Sequence, residues 1–175
     1  MQKLTDPDEK VRLAAVAAAG TLCETTELIS QHLLLGVAER CRDKKLSIRV
    51  ASINVLADKF KRVAAIRFLQ CLSSDSSEAS IVDIDHFMWV PGSILELLYL
   101  GDAQITLEVE RVMQEVIFSS KMDSFARSAS NIAILASCTD RQYNGYLSIL
   151  QKKSHTLKDF GIFLEICQLY NVLSK

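Results

Sequence analysis

The chain has 175 residues, 49% of them hydrophobic and 23% charged, with a net charge of −1; that balance excludes wholesale disorder and suits a folded unit with a substantial core. Six glycines and two prolines are too few for the frequent turns of an all-β sandwich. The longest uncharged run, Ser128 to Thr139, has 12 residues, short of the ~20 that a membrane-spanning helix needs, so no membrane partner is expected. Acidic Asp6, Asp8 and Glu9 stand where a secretory signal would be basic. Five cysteines, Cys23, Cys41, Cys71, Cys138 and Cys167, are odd in number, scattered and free of CxxC spacing. They read as reduced thiols packed as small hydrophobes in an intracellular protein.

In chain order, the first expected helix begins at Pro7, a residue suited to a first turn because it lacks an N–H that would go unpaired there. Asp6 is its expected N-cap, and Asp8 and Glu9 suit the positive end of the helix dipole. Its outer partner would lie before Met1, so the chain is expected to open in mid-repeat, as a fragment. A second helix is expected from Thr26 to Cys41, with Leu28, Leu33, Leu34 and Val37 on one side. Its mate follows Asp43 and has two apolar stripes, Ile48, Ala51 and Val55 on one, Ile53, Leu56 and Phe60 on the other. A helix apolar on two sides must be sandwiched between neighbours. The polar stretch LSSDSSEAS from Leu72 to Ser80 reads as a connection. Helices are then expected over Gly92–Leu100 and Ala103–Phe118, with a turn at Gly101 and Asp102 between them. The second carries Ile105, Val109, Val112 and Val116 at helical spacing. Three more are expected over Asp123–Ser137, Asp140–Lys153 and Thr156–Ser174, and no alternation long enough for a strand occurs.

One pattern is stated twice. Asp6, Val11, Arg12, Ala14 and Val16 return as Asp43, Ile48, Arg49, Ala51 and Ile53, every pair offset by 37 residues. A fixed period in this range marks a solenoid, in which each unit buries its apolar face against the next. The Asp six residues before an Arg, followed by small residues, resembles the HEAT helix-pair repeat. That resemblance implies a ladder in which Asp6 and Asp43 occupy turns while Arg12 and Arg49 project from helices toward neighbouring turns. The expected fold is therefore all-α, a HEAT-repeat α-solenoid of antiparallel helix pairs forming one segment over 1–175. Two regular units fill 1–71, the first truncated; an irregular connection spans 72–90; further helix pairs fill 91–175.

Catalytic chemistry finds no constellation here. There is no phosphate-cradling Gly-rich loop, no Gly-x-Ser-x-Gly elbow and no His-Glu-x-x-His helix, so neither an enzyme nor a bound cofactor is expected. Asp83, Asp85 and His86 come nearest to a metal site, but about four convergent ligands are needed, and solvated turn residues are the simpler reading. Cys138 with His155 could serve nucleophilic catalysis only if folding brought them together; a buried thiol is expected instead. Charge is polarised along the chain, with nine Lys or Arg from Arg40 to Arg67 and nine acids against the single Arg111 from Asp75 to Glu115. The cluster Arg40, Arg42, Lys44, Lys45 and Arg49 could contact phosphates, although Asp43 sits among them and no aromatic platform is interleaved.

A closer resemblance lies in ERCRDKKLSIRVASINVLADKF, then WVPGSILELLYLGDAQITLEVERVMQEVIF, then DRQYNGYLSILQKKSHTLKDF. Their order and spacing resemble the cohesin-associated HEAT family named for precocious dissociation of sisters, over Leu4 to Asn171. The matching features are Asp43 and Lys44, then Ile94, Leu95 and Tyr99, then Asp102, then Val109, Glu110 and Arg111. Leu98-Tyr99 replaces a double aromatic, and Gly101 tightens the turn. The resemblance implies a middle piece of a hook-shaped nuclear, chromatin-associated solenoid that binds the kleisin subunit of cohesin. It also implies work with the wings-apart-like release factor and the cohesin acetyltransferase in maintaining and releasing sister-chromatid cohesion. Arg40, Lys44, Lys45, Trp89 and Tyr99 are the candidate kleisin-contact residues. A scaffold of another nuclear assembly, such as a condensin subunit or transport receptor, and a DNA-contacting basic surface remain the alternatives.

Overall fold

In a computed structural model, residues 2–26, 29–72, 84–118 and 124–173 are described, and among them every regular element is helical. The helices are α1 (Glu9–Thr25), α2 (Gln31–Arg40), α3 (Leu46–Leu72), α4 (Trp89–Leu95), α5 (Ala103–Val112), α6 (Ser124–Ala136) and α7 (Asp140–Leu173). A 3-10 turn, Glu96–Leu100, prolongs α4, and a π turn, Met113–Ile117, prolongs α5. The chain is all-α and has the architecture of a HEAT-type solenoid.

Side-chain bonds between elements fix the helix directions. Arg12 near the start of α1 reaches Asp43 just before α3, while Glu24 near its end meets Arg62, so α1 and α3 run parallel. Arg49 and Asn54 of α3 reach Asp102 and Glu108 in the same order along α5. Gln142 and Lys152 of α7 meet Glu96 and Glu110, which adds α7 to the parallel set. α2 runs back between them, since Lys59, well along α3, donates to the Thr26 carbonyl at 3.0 Å. One layer thus consists of α1, α3, α5 and α7, with their N-termini on a common edge.

The core lies between these helices. α3 buries Ile48, Ile53, Leu56, Ala57, Phe60 and Val63, which accounts for its two apolar stripes. α1 and α3 approach closely at Gly20, where an added Cβ would lie 3.0 Å from Val55 Cγ2. Lys59, 4% exposed, places its ammonium at the carbonyl end of α1, where the helix dipole is negative. The turn into α5 is made by Gly101 at φ +71°, a left-handed conformation that glycine adopts without steric penalty.

Several boundaries differ from the sequence reading. Asp8, not Asp6, caps α1, its carboxylate accepting from the Lys10 N–H at 2.7 Å. Asp6 accepts from the Asp8 N–H at 3.0 Å, so Pro7 lies between two consecutive Asx turns instead of inside the helix. α1 runs through Thr25, whose hydroxyl donates to the Thr21 carbonyl; α2 therefore starts at Gln31, five residues later than expected, and Leu28 lies outside the described residues. α4 begins at Trp89, preceded by a 3-10 turn over Ile84–Phe87; most of the expected connection lies outside the described residues. The two C-terminal helices expected to divide near Ser154 are one helix of 34 residues, about 51 Å long at 1.5 Å per residue. No proline interrupts KSHT, and its polar side chains bond within the helix: Thr156 donates to the Lys152 carbonyl and His155 pairs with Asp159 at 2.9 Å.

Lys152 and Lys153 tie the first half of α7 to Glu110 and Gln114 of the preceding unit. Beyond them, Leu157, Phe160, Ile162, Phe163 and Ile166 are each more than half exposed. Burial predicts opposite outcomes for two phenylalanines. Phe60→Ala should cost about 3–5 kcal/mol, whereas Phe163→Ala, at 57% exposure, should stay within about 0.5 kcal/mol in urea denaturation.

Candidate partner-binding edge

On the shared N-terminal edge the same device, an Asx turn closed by an aspartate, lies at the entry to α1, α3 and α5. Asp6 Oδ1 accepts from the N–H of Asp8, Asp43 Oδ1 from Lys45, and Asp102 Oδ1 from Gln104, at 3.0, 3.0 and 2.9 Å. α7 begins instead with a capping box: Gln142 Oε1 accepts from the Thr139 N–H at 3.0 Å and Thr139 Oγ1 from the Gln142 N–H at 3.4 Å. The chain folds this way because a short acceptor two or three residues ahead satisfies amides that have no intrahelical partner.

The second oxygen of two of these aspartates takes an arginine from the preceding unit. Arg12 donates Nε to Asp43 Oδ2 at 2.9 Å and Nη2 to Oδ1 at 3.0 Å, a bidentate pair. Its remaining Nη1 reaches back to the Asp6 and Pro7 carbonyls at 2.8 and 2.9 Å. Arg49 repeats the arrangement one unit on, donating Nη2 to Asp102 Oδ2 at 2.5 Å and Nη1 to the Asp43 carbonyl at 3.3 Å. Arg40 adds a longer contact to Asp43 Oδ2 at 3.4 Å. The Nε groups of Arg40 and Arg49 are buried without an acceptor.

Asp43 has a side chain only 3% exposed. Burial by itself would favour its neutral form, but the hydrogen bonds from Arg12 and the Lys45 N–H, with the charges of Arg12 and Arg40, outweigh it and hold the carboxyl below the usual range. The same hydrogen bond raises Arg12 above the ordinary arginine value.

Spacing concealed the third aspartate of this series, the acceptor of the second rung. Asp102 follows Asp43 by 59 residues, not 37, so it fell outside the repeat. Its place in a turn followed by a helix was the signal that could have found it. Six residues beyond Asp102, where Arg12 and Arg49 stand in the earlier units, the chain carries Glu108. This carboxylate accepts from Arg111 at 2.6 and 3.0 Å and from Asn54 Nδ2 at 2.7 Å. The Arg111 hydrogen bond leads the causes that lower its pKa, against burial.

The candidate contact residues share this edge but differ in availability. Lys45 pairs with Glu9 at 2.6 Å and Arg40 with Asp43 and Glu39, while neighbouring Arg42 reaches Glu96 at 3.1 Å. Lys44 is exposed and carries no ion pair or hydrogen bond among the described contacts. An open pocket lies between the turn at Thr5–Glu9 and the turn at Glu39–Lys45, with Lys44 and Lys45 in its wall. Tyr99 is 45% exposed, yet its hydroxyl donates to the Arg141 carbonyl at 2.7 Å and its ring lies 4.4 Å from the Arg141 guanidinium. Trp89 is half-buried against the core and donates Nε1–H to the His86 carbonyl at 2.9 Å. The Arg42–Glu96 bridge brings the basic turn and the Tyr99 segment to one edge; Trp89 serves as packing.

The other singled-out groups do not converge. Among the described residues no set of three His, Cys, Asp or Glu is placed to hold a metal; His86 is exposed, and Asp83 and the Asp85 side chain lie outside them. Cys138 precedes α7 and His155 lies 15 residues into it, about 22 Å along the helix. Burial raises the pKa values of Cys23 and Cys138 and pushes Cys41 up to about 12, so these thiols stay protonated and poorly nucleophilic. The side chain of Cys71 is outside the described residues.

Parallel helices stacked with their N-terminal ends on one polar edge define a HEAT-type solenoid. The family model for the sister chromatid cohesion protein PDS5 matches residues 1–175, and this chain belongs to that family. It is 26% identical over 172 residues to sister chromatid cohesion protein pds5 of Schizosaccharomyces pombe, covering 97% of this chain and 14% of that protein. It is 24% identical over 170 residues to PDS5 homolog A of Arabidopsis thaliana, covering 95% of this chain and 10% of that one. The chain thus spans a small part of the length of these relatives.

Two outcomes test the ladder. Arg49→Ala removes the part-buried pair with Asp102 and should cost about 1–2 kcal/mol, read as a lower urea midpoint. Because Asp43 titrates lower when folded than when unfolded, its contribution is complete above the ordinary carboxylate value near ~4 and lost as pH falls through the folded value. The melting temperature of the native chain should therefore fall as pH drops below about 5, with a shallower fall in Asp43→Asn.

Proposed function

We propose that this chain is a non-enzymatic segment of a nuclear, chromatin-associated cohesin regulator that binds the kleisin subunit and supports both maintenance and regulated release of cohesion. The observation that carries this reading is the match of the entire chain to the PDS5 family. It favours a cohesin scaffold over a transport receptor or a condensin subunit, which would share only the fold. The wings-apart-like release factor and the cohesin acetyltransferase are proposed as further partners of the whole protein on the same ground.

Kleisin contact is assigned to the edge formed by the basic turn and the segment around Tyr99. Lys44 supplies a charge that costs no internal pair to engage, with Arg40 and Lys45 behind it, and the exposed part of Tyr99 supplies apolar area. Trp89 contributes by holding α4 in place. Direct DNA binding is disfavoured because Arg40, Arg42 and Lys45 are already paired with carboxylates. A phosphate-binding surface needs several cations free to displace counterions.

Lys44→Glu should weaken binding of a kleisin fragment to the full-length protein by roughly three- to tenfold in calorimetry, the scale of one rim charge reversed. The melting temperature should not change, because exposed lysines contribute little to stability. Unchanged affinity would remove this surface from the kleisin site.

A further inference from the structure

We propose that Glu96 is a relay: one carboxylate shared by the basic turn and the start of α7, through which a partner that captures Arg42 loosens the cap of α7. Glu96 opens the 3-10 turn after α4. Its Oε2 accepts from Arg42 Nη2 at 3.1 Å, and its Oε1 accepts from Gln142 Nε2 at 2.8 Å. The far end of that amide is engaged as well, because Gln142 Oε1 accepts from the Thr139 N–H at 3.0 Å. Arg42, Glu96, Gln142 and Thr139 thus form one line of bonds from the basic turn to the α7 cap.

Gln142 is closely seated in this line. Gly92 is buried inside α4, where glycine is unfavourable relative to alanine, and a Cβ there would lie 2.6 Å from Gln142 Oε1, 2.8 Å from Cδ and 3.0 Å from Nε2. All three contacts fall on the side-chain amide, so the missing Cβ lets that amide lie against the α4 backbone. Confined there, the amide has one orientation that serves Thr139 and Glu96 together, and it passes a change at Glu96 to the cap. The Tyr99 hydroxyl holds the Arg141 carbonyl at 2.7 Å, so α7 stays docked while its cap loosens.

Arg42 is the input. Its side chain is 48% exposed, its one side-chain partner among the described contacts is Glu96, and it lines the open pocket together with Lys44. A carboxylate bound at Lys44 in that pocket competes with Glu96 for Arg42, and the exchange replaces one ion pair by another. Near balance of this kind is what allows a ligand of modest differential affinity to shift a conformation. Without Arg42, the Glu96 carboxylate, 40% exposed, turns to water and releases Gln142. Only the identity of the occupant as a kleisin carboxylate rests on the kleisin reading; the line of bonds does not.

The test is hydrogen-exchange mass spectrometry of the full-length protein, read on peptic peptides covering 139–143. With no partner present, Arg42→Ala should speed exchange there by about twofold or more, and Lys44→Ala, which removes a neighbouring exposed cation, should not. In a Gln142→Ala background the Arg42 substitution should add nothing. No acceleration in Arg42→Ala, equal acceleration in Lys44→Ala, or an additive effect with Gln142→Ala each overturns the relay. Glu96→Gln keeps an acceptor for Gln142 but no longer competes for Arg42, so a kleisin fragment should bind about two- to fivefold tighter in calorimetry; a carboxylate that only braces the edge would make binding weaker. Weaker or unchanged binding overturns the capture of Arg42. The predicted exchange changes in a native protein that binds no kleisin fragment would instead overturn the kleisin reading and leave the relay standing.

Discussion

One carboxylate governs the geometry of this solenoid. Asp43 caps the start of α3 and at the same time receives a bidentate guanidinium from α1, so the helix end and the contact between units are fixed by the same side chain. A bidentate pair tolerates little rotation or sliding. α1 and α3 are thereby held parallel and in register, and the apolar matches along them, Gly20 against Val55 among them, follow from that alignment. Apolar burial supplies most of the favourable free energy, as it does in folded proteins generally. It is non-directional, however, and cannot choose between registers that bury similar area. The ion pair can.

The same logic explains why the repeat loses regularity after α3. Arg49 still finds Asp102, so the register passes to α5, although the intervening chain is longer than one period. Beyond α5 the device changes: Glu108 replaces the arginine, and Asn54, Glu108, Arg111 and Glu115 form a lateral network across α3 and α5. Attachment of α7 then relies on Gln142 with Glu96, on Tyr99 with Arg141, and on Lys152 with Glu110. These contacts are more exposed than the Asp43 rung and grip only the first half of a very long helix. Its second half has a wide apolar circumference but no bond to the body among the described residues.

Much of this was legible in the sequence, and the failures share a cause. Period and composition specified an all-helical solenoid, and the offset from Asp6 to Asp43 identified the ladder aspartates before any contact was known. What periodicity cannot convey is which partner a charge will choose. Arg12 belongs to the next unit's aspartate, not to its own, because the turn places its own Asp6 carbonyl, and not the carboxylate, within reach. Asp102 was hidden by the length inserted before it. Polar KSHT looked like a break, but without proline or glycine its side chains bond along the helix and continue it. Trp89 stood among the candidate contacts, and only packing reveals that its indole is half-buried and tied to the His86 carbonyl.

Parallel stacking also decides what the turn edge can recognise. Helix N-termini converge there, each bearing partial positive charge, and the basic turn adds formal cations beside them. Yet Asp43, Asp102, Glu96 and Glu9 lie within ion-pair distance of these cations, so the surface is a mosaic of fixed pairs and not a bare positive field. A polyanion gains little from charges already neutralised, and displacing Glu9 or Glu96 would leave a carboxylate to be solvated again. A folded or extended peptide can meet such a mosaic differently, setting its own acids and donors against charges held at known positions, where a wrong register is penalised by repulsion. The internal pairing that orders the helices therefore leaves the edge with a fixed pattern of paired charges and little unpaired positive field, which is the ground on which the proposed peptide partner is preferred over a polyanion.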